Sequence, residues 1–295
     1  MRRRFPVALL AVLGVAAGCR DGTPSHEAVA TVRVASDDSS ESQILAAVYA
    51  EGARREGLRV SLEPRVGAPE PALERGLVDL VVDSAGTVLG DATGATPDAR
   101  TRAELHTALQ ESFAPRGIAV LDVGVAENRV GFAVSRAFAA AHHLSRLSDL
   151  APLAGGLTFG GPPECPAAPQ CLPGLARAYG LRFGSVRTVP PGATTVGALL
   201  NGQIQVGLLD SADAWLEAAP VVLLTDDRAL QPPQNVVPLV RADLLRHDWG
   251  DRLRAVVNTI SQRLTTEDLI RLDRAVEIDG LSPTQAAERW WDDGA

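Results

Sequence analysis

The chain has 295 residues, of which 46% are hydrophobic, 22% charged and only 4% aromatic, with a formal net charge of −8. That composition can build a sizeable core, and the acidic balance disfavours nucleic acid and anionic membrane surfaces as partners. Arginine supplies all 28 of the Lys-plus-Arg side chains, and no lysine occurs.

The first residues address the compartment. Arg2, Arg3 and Arg4 precede "FPVALLAVLGVAAGC", an apolar run that ends in small residues and Cys19. A charged start, an apolar stretch and a small-residue cleavage site make a secretory leader over 1–18. A cysteine directly after "AAG" points to a lipoprotein leader, in which Cys19 becomes the acylated N-terminus; Ala16 stands where leucine is more usual. An ordinary signal peptide or a short membrane anchor is the competing reading. Acyl chains contribute about 0.8 kcal/mol per buried methylene, enough for a multiply acylated cysteine to hold the domain on a membrane. No later stretch approaches the roughly 20 apolar residues needed to cross one. Loss of the leader takes the net charge to about −11, and residues 19–29 form a polar tether. About 265 residues remain, more than one core usually supports, so two lobes are expected.

Beyond the tether, short apolar segments alternate with helical patterns. "TVRVAS" (31–36) reads as a strand and "ESQILAAVYAEGARREG" (41–57) as a helix, with Ser40 and Gln43 in capping-box spacing and Gly57 as its stop. "LRVSLEP" reads as a second strand, "PEPALERG" as a short helix and "VDLVV" as a third strand. A helix over 98–114, the strand "IAVLD" and the alternating "VGFAVS" (130–135) follow. Next come "GLTFG", a helix over 172–179, "VRTV", a helix over 193–202, and the strands "IQVGLLD" and "VVLLT". Three helices close the chain over 248–263, 266–279 and 283–293, the last with Ser282 as cap, Pro283 first and Gln285 completing the box.

Such alternation means α/β architecture with mainly parallel sheets. Ligands of such sheets sit off the carboxyl ends of strands. Those ends carry "SDDSSES" (36–42), "DSAGT" (83–87), "FGGPPEC" (159–165) and "DSADAW" (210–215), spread over two halves of the chain. A cleft between two α/β lobes accounts for that spread better than one large sheet.

In this order the loops resemble the solute-binding proteins of ABC importers for glycine betaine, choline and related osmoprotectants. "VASDDSSESQILAAVYAEGARREG" is similar to that family's opening strand, Ser/Thr-rich loop and first helix, and "ALERGLVDLVVDSAGTVL" to its acidic-Tyr-Thr-Gly-Thr stretch. "FGGPPECPAAPQCLPGLARAYGLRFG" resembles its Gly-Gly-Pro-x-Glu loop and the helix after it. "GALLNGQIQVGLLDSADAWL" and "VVLLTDDRALQPPQNVVPLVR" continue in register, so the likeness covers roughly residues 30–293. The resemblance implies an α/β, two-lobed periplasmic-binding-protein (Venus flytrap) fold of class II. It places lobe one at 30–122 plus 226–295 and lobe two at 123–225, with crossings near 123–128 and 222–228. It also implies an ABC permease and ATPase subunits as partners, a small-molecule ligand and no cofactor.

Departures from the family concern the ligand. The resemblance implies an aromatic cage for trimethylammonium groups, each ring face attracting a cation by about 0.5–2 kcal/mol. The chain has two tyrosines, Tyr49 and Tyr179, both inside helical patterns. Ala85, Val130 and Gln234 stand where the family commonly has tyrosine. Polar candidates for ligand contact remain: Asp37, Asp38, Ser39 and Ser40 after the first strand, and Ser84 and Thr87 after the third. Asn128 and Arg129 lie at the first crossing, Pro162 in "GGPPE", Asp210, Ser211 and Asp213 after a second-lobe strand, and Gln234 before the return strand. Arg129 is a candidate carboxylate clamp, and Asp37 or Asp210 a partner for an amine. A small polar or zwitterionic solute is expected. Ser, Asp and Asn at such positions also serve as plain helix caps.

Enzyme readings find little support. Of the five histidines, His142 and His143 are adjacent and diverge on a helix, no H-E-x-x-H, G-x-S-x-G or Walker motif occurs, and no nucleophile–base pair is evident. A membrane-tethered ligand sensor, or an exported transferase or hydrolase, are the alternatives on the same architecture. Cys165 and Cys171 have no histidine or further cysteine near them for a metal site. With Cys19 acylated in an exported protein, they are the one possible internal pair, expected as a disulfide.

Overall fold

The computed structural model describes residues 31–99 and 101–294; the leader, Cys19 and the tether lie outside the described residues. Two five-stranded sheets organise the chain. The first contains β1 (Val32–Ala35), β2 (Val60–Glu63), β3 (Leu80–Ser84) and β4 (Ile118–Val120), and the second β5 (Val130–Ser135), β6 (Thr158–Gly161), β7 (Ser185–Thr188), β8 (Val206–Asp210) and β9 (Val221–Leu224). β10 (Val236–Arg241) returns to the first sheet, whose order is β2-β1-β3-β10-β4, against β7-β6-β8-β5-β9 in the second.

In each sheet four strands run one way and a single strand runs against them. β1 pairs in parallel with β2 and β3, and β6 with β7 and β8, whereas β10 is antiparallel to β3 and β4, and β5 to β8 and β9. The reason is the route of the chain. β4 and β9 each run toward the junction of the lobes, so the strand that follows enters its new lobe from that end and runs backward. The carboxyl ends of β1, β3, β6 and β8 consequently all face the junction, where such sheets carry their ligands.

Helices cover both faces of each sheet. One face of the first sheet holds α1 (Ser40–Arg55) and the later helices α9 (Gly250–Arg263), α10 (Thr266–Glu277) and α11 (Pro283–Asp292) around Tyr49, Leu253, Val257, Ile260 and Trp290. The other holds α2 (Pro69–Glu74), α3 (Ala85–Thr93) and α4 (Arg102–Phe113) around Leu105, Leu109 and Phe113. The second lobe packs α5 (Arg136–His142) and α6 (Leu172–Tyr179) on one face, and α7 (Ala193–Leu200) and the short α8 (Trp215–Ala218) on the other.

Local chemistry sets the helix ends. α1 is capped by Ser39, whose side chain accepts from the Ser42 amide, so the cap lies one residue before the expected Ser40. α4 begins at 102 rather than 98 because Thr101 and Glu104 form its capping box. Ser282 and Gln285 form the box of α11. Close packing of α1 needs Gly52, where an added Cβ would lie 2.6 Å from the Trp291 ring and 2.7 Å from Ile260 Cδ1.

The crossings form a short antiparallel pair. The Gly124 amide donates to Val236 O, Val236 to Ala126 O and Asn128 to Gln234 O. The return passage thus lies later than the expected 222–228. Residues 226–231 stay with the second lobe: Leu230 packs in its core, Asp226 accepts from the amides of Leu230 and Gln231 and from the Tyr179 hydroxyl, and the Gln231 amide group reaches Gln170 O. A boundary near 231 replaces the one at 225, because the Asp226-capped turn must finish before the chain can leave.

Candidate interlobe solute site

Where the first lobe meets the second, the chain leaves β1 through a turn built by its own side chains. Asp37 Oδ1 accepts from the Ser39 amide at 2.8 Å and from the Ser39 hydroxyl at 2.6 Å, and the Asp37 amide donates to Ser42 Oγ. This turn delivers the start of α1 to the wall of a cavity of about 320 Å³. Ser39, Ser40, Glu41 and Ile44 line it from α1, and Asn128 from the first crossing. Pro191 and Gly192, ahead of α7, and Asp210, Ala212 and Asp213, after β8, line it from the second lobe. Leu269, Asp273 and Glu277 complete it from α10.

Asn128 ties the parts together: its amide donates to Glu41 Oε2 at 2.8 Å, and its carbonyl oxygen accepts from the Ala212 amide at 2.9 Å. A second tie runs from the Ala214 amide to Asp273 Oδ2 at 3.0 Å, and Arg274 pairs with Glu217 at 3.4 Å. The loop after β8 thereby rests on α10, and Ala212 is buried among first-lobe side chains.

Five carboxyl groups and no basic side chain line this cavity. Burial pushes Glu41 up to about 7 against the opposing hydrogen bond from Asn128, and the negative charges of Asp210, Asp273 and Asp37 add to the rise. Asp273 is likewise pushed up to about 7, first by burial and then by Glu277. Burial also raises Asp210 and Asp213, although the Trp215 amide at 2.9 Å partly offsets it for Asp213. Asp210 presents much of its surface to the cavity while protein surrounds it. Oε1 of Glu41 and Oγ of Ser40 are shut off from solvent and have no hydrogen-bond partner.

Of the residues predicted from sequence, Ser39, Ser40, Asn128 and Asp210 meet here, and Asp213 with them. Thr87 and Gln234 line a more open groove of about 520 Å³ with Gln170, the Thr87 amide donating to Gln234 Oε1 at 3.0 Å. Gly86 permits that approach, since an added Cβ would lie 2.6 Å from Pro233 O. Asp37 borders a separate first-lobe cavity with Glu70 and Asp83, and Asp38 is exposed, its carbonyl accepting from Gln43. Ser84 ends β3 and is buried, while Pro162 lies in the turn after β6, its carbonyl accepting from the Cys165 amide. Ser211 serves the crossing: its hydroxyl accepts from the Arg129 amide and donates to Glu127 O.

The Arg129 guanidinium pairs with Glu127 Oε1 at 3.1 Å, two residues away. Ala85, which stands where the family commonly has tyrosine, points into the first-lobe core with no exposed surface. Glu41, Asp273 and Glu277 were not read as site residues. For the last two a signal existed: Leu269, Asp273 and Glu277 follow one another at four-residue spacing, a single stripe of a helix. Cys165 and Cys171 are bonded, with Cα atoms 5.2 Å apart, between β6 and α6.

Two α/β lobes, a paired crossing and a walled cavity between them are the architecture of the two-lobed periplasmic binding proteins. The chain belongs to the OpuAC family, the substrate-binding domains of ABC-type glycine betaine transport systems, whose profile matches residues 30–293. Its fold is similar to that of a glycine betaine/carnitine/choline ABC transporter protein, at 24% identity and a TM-score of 0.82 over 89% of this chain and 98% of that one. It is also similar to YehZ of Escherichia coli without ligand, at 19% identity and 0.77 over 90% and 98%. Lactococcal OpuAC closed on glycine betaine matches at 17% identity and 0.57, over 89% and 95%. Proteins of this family bind small ligands outside the cytoplasm and work with permease and ATPase subunits. Among the described residues no helix is long and apolar enough to cross a membrane.

Proposed function

We propose that this chain is the lipid-anchored receptor of an ABC importer, which captures a small polar solute between its lobes and presents it to a permease. The observation that carries the reading is the cavity of about 320 Å³ with walls from both lobes and a crossing. An occupant contacting both bodies favours the closed arrangement, a hinge closure around bound ligand. Its volume matches about ten liquid waters, room for a ligand of about ten non-hydrogen atoms. The leader ending in "AAGC" supports the anchor at Cys19.

Glycine betaine, carnitine and choline, the solutes named for the related proteins, belong in the first panel to be tried. Amines, amino acids, ectoines and polyamines complete it. A ligand at one hundred times its Kd adds about 2.7 kcal/mol, which raises the melting temperature by roughly 5–10 °C in a chain of this size. No shift with any member removes the capture reading. Radiolabelled fatty acid retained on the wild-type protein and lost on Cys19→Ala tests the anchor.

A further inference from the structure

The cavity walls select the chemistry of what they hold. Glu41, Asp210, Asp213, Asp273 and Glu277 come from three separate parts of the fold, and no positive side chain stands among them. Protonation would relieve their repulsion, as the raised Glu41 and Asp273 carboxyls reflect. It leaves Glu41 Oε1 and Ser40 Oγ, neighbours in sequence at the head of α1, without partners. Buried polar atoms without partners are rare and ask for a bonding group. A cation with N–H donors answers both needs at once. A quaternary ammonium brings charge but no donor, and the ring faces that would suit it are absent from the lining. Among the described residues no three Asp, Glu, His or Cys side chains converge closely enough to hold a metal ion.

We infer that the interlobe cavity takes a small organic ammonium ion with N–H donors, a protonated primary or secondary amine, in preference to a quaternary one. The inference rests on the capture reading. Ethanolamine, its N-methyl and N,N-dimethyl derivatives and choline keep the charge and the hydroxyl while removing one donor at a time. Titration calorimetry at pH 7 should show affinity falling along that series, by at least about ten-fold from ethanolamine to choline. Ethanolamine binding should also release protons, seen as heats that differ between phosphate and MOPS buffers, neither of which is a primary or secondary amine. Glu41→Gln, which keeps an acceptor for Asn128, should weaken ethanolamine by about ten-fold and reduce the release. Ser40→Ala should weaken it by a few-fold.

Choline binding as tightly as ethanolamine overturns the inference and leaves capture standing. Calcium chloride binding where ethanolamine does not, or ethanolamine affinity unchanged in both variants, also overturns it. So does silence across the series while another solute of the panel binds; silence across the whole panel removes capture itself.

Discussion

Glu41 makes the stability of the protein depend on pH in a direction that can be worked out. Its carboxyl is pushed up to about 7 in the folded chain and titrates near 4.3 when unfolded. Between those values the folded state holds the extra proton, so stability falls as pH rises from about 4.3 to about 7. Asp273, pushed up to about 7, acts with the same sign, and Asp37, Asp210 and Asp273 are the charges facing Glu41. Melting temperatures should therefore rise as pH is lowered from about 8 to about 5. Glu41→Gln should flatten that slope and stabilise the solute-free protein at pH 8 by on the order of 2 kcal/mol; a slope equal to that of wild type would count against the burial of this charge. Arg129 gives the contrast. Its pair with Glu127 has side chains 39% and 27% exposed, a setting worth about 0–1 kcal/mol. Arg129→Ala is expected to leave solute affinity within about two-fold and melting within roughly 2 °C, and a ten-fold loss by calorimetry would support the clamp. At this scale the sequence showed Asn128, Asp210, Ser39 and Ser40 because they follow strands or open a crossing. It offered Asp273 and Glu277 only as a helical stripe with Leu269, and the packing of α10 on α1 and α8 is what brings them to the cavity. Glu41 was hidden, since an acidic residue in a first helical turn already has an ordinary role there.

The Cys165–Cys171 bond acts on an element rather than on the ligand. It closes the turn between β6 and α6, and both cysteines are buried in the second-lobe core. So short a loop contributes roughly 2–2.5 kcal/mol in the chain-entropy model, and serine in its place would bury hydroxyls. The double variant Cys165→Ser/Cys171→Ser should melt about 5–10 °C lower while its solute affinity changes by less than about three-fold, because neither cysteine lines the cavity. Unchanged melting would mean the bond does not hold this lobe. Strand and helix periods showed where most elements lie, chain length and the spread of the loops showed two lobes, and the family likeness supplied their bounds. The direction of β5 and β10 was not in those patterns, because a strand's hydrophobic period is the same whichever way it runs. The return passage was misplaced for a related reason. The turn capped by Asp226 depends on Tyr179, 47 residues earlier in the chain.

For the molecule as a whole, the acidic balance bears on how fast a cation arrives. A net charge of −8 and a cavity walled by carboxyls raise the local concentration of positive solutes. The screening length falls from about 30 Å at 0.01 M salt to about 8 Å at 0.15 M. Stopped-flow association of ethanolamine should slow by several-fold across that range, while that of a zwitterion such as glycine betaine should stay nearly flat. Equal salt dependence for the two would exclude long-range steering.

The backward strand β10 also dictates an order of assembly. It lies between β3 and β4, so the first lobe cannot close its sheet until residues 236–241 have been made. The second sheet is complete by residue 224, and its lobe is one uninterrupted stretch of chain. During synthesis the later lobe therefore matures before the earlier one. A chain ending at residue 231 should hold a protease-resistant second lobe beside a first lobe that is digested.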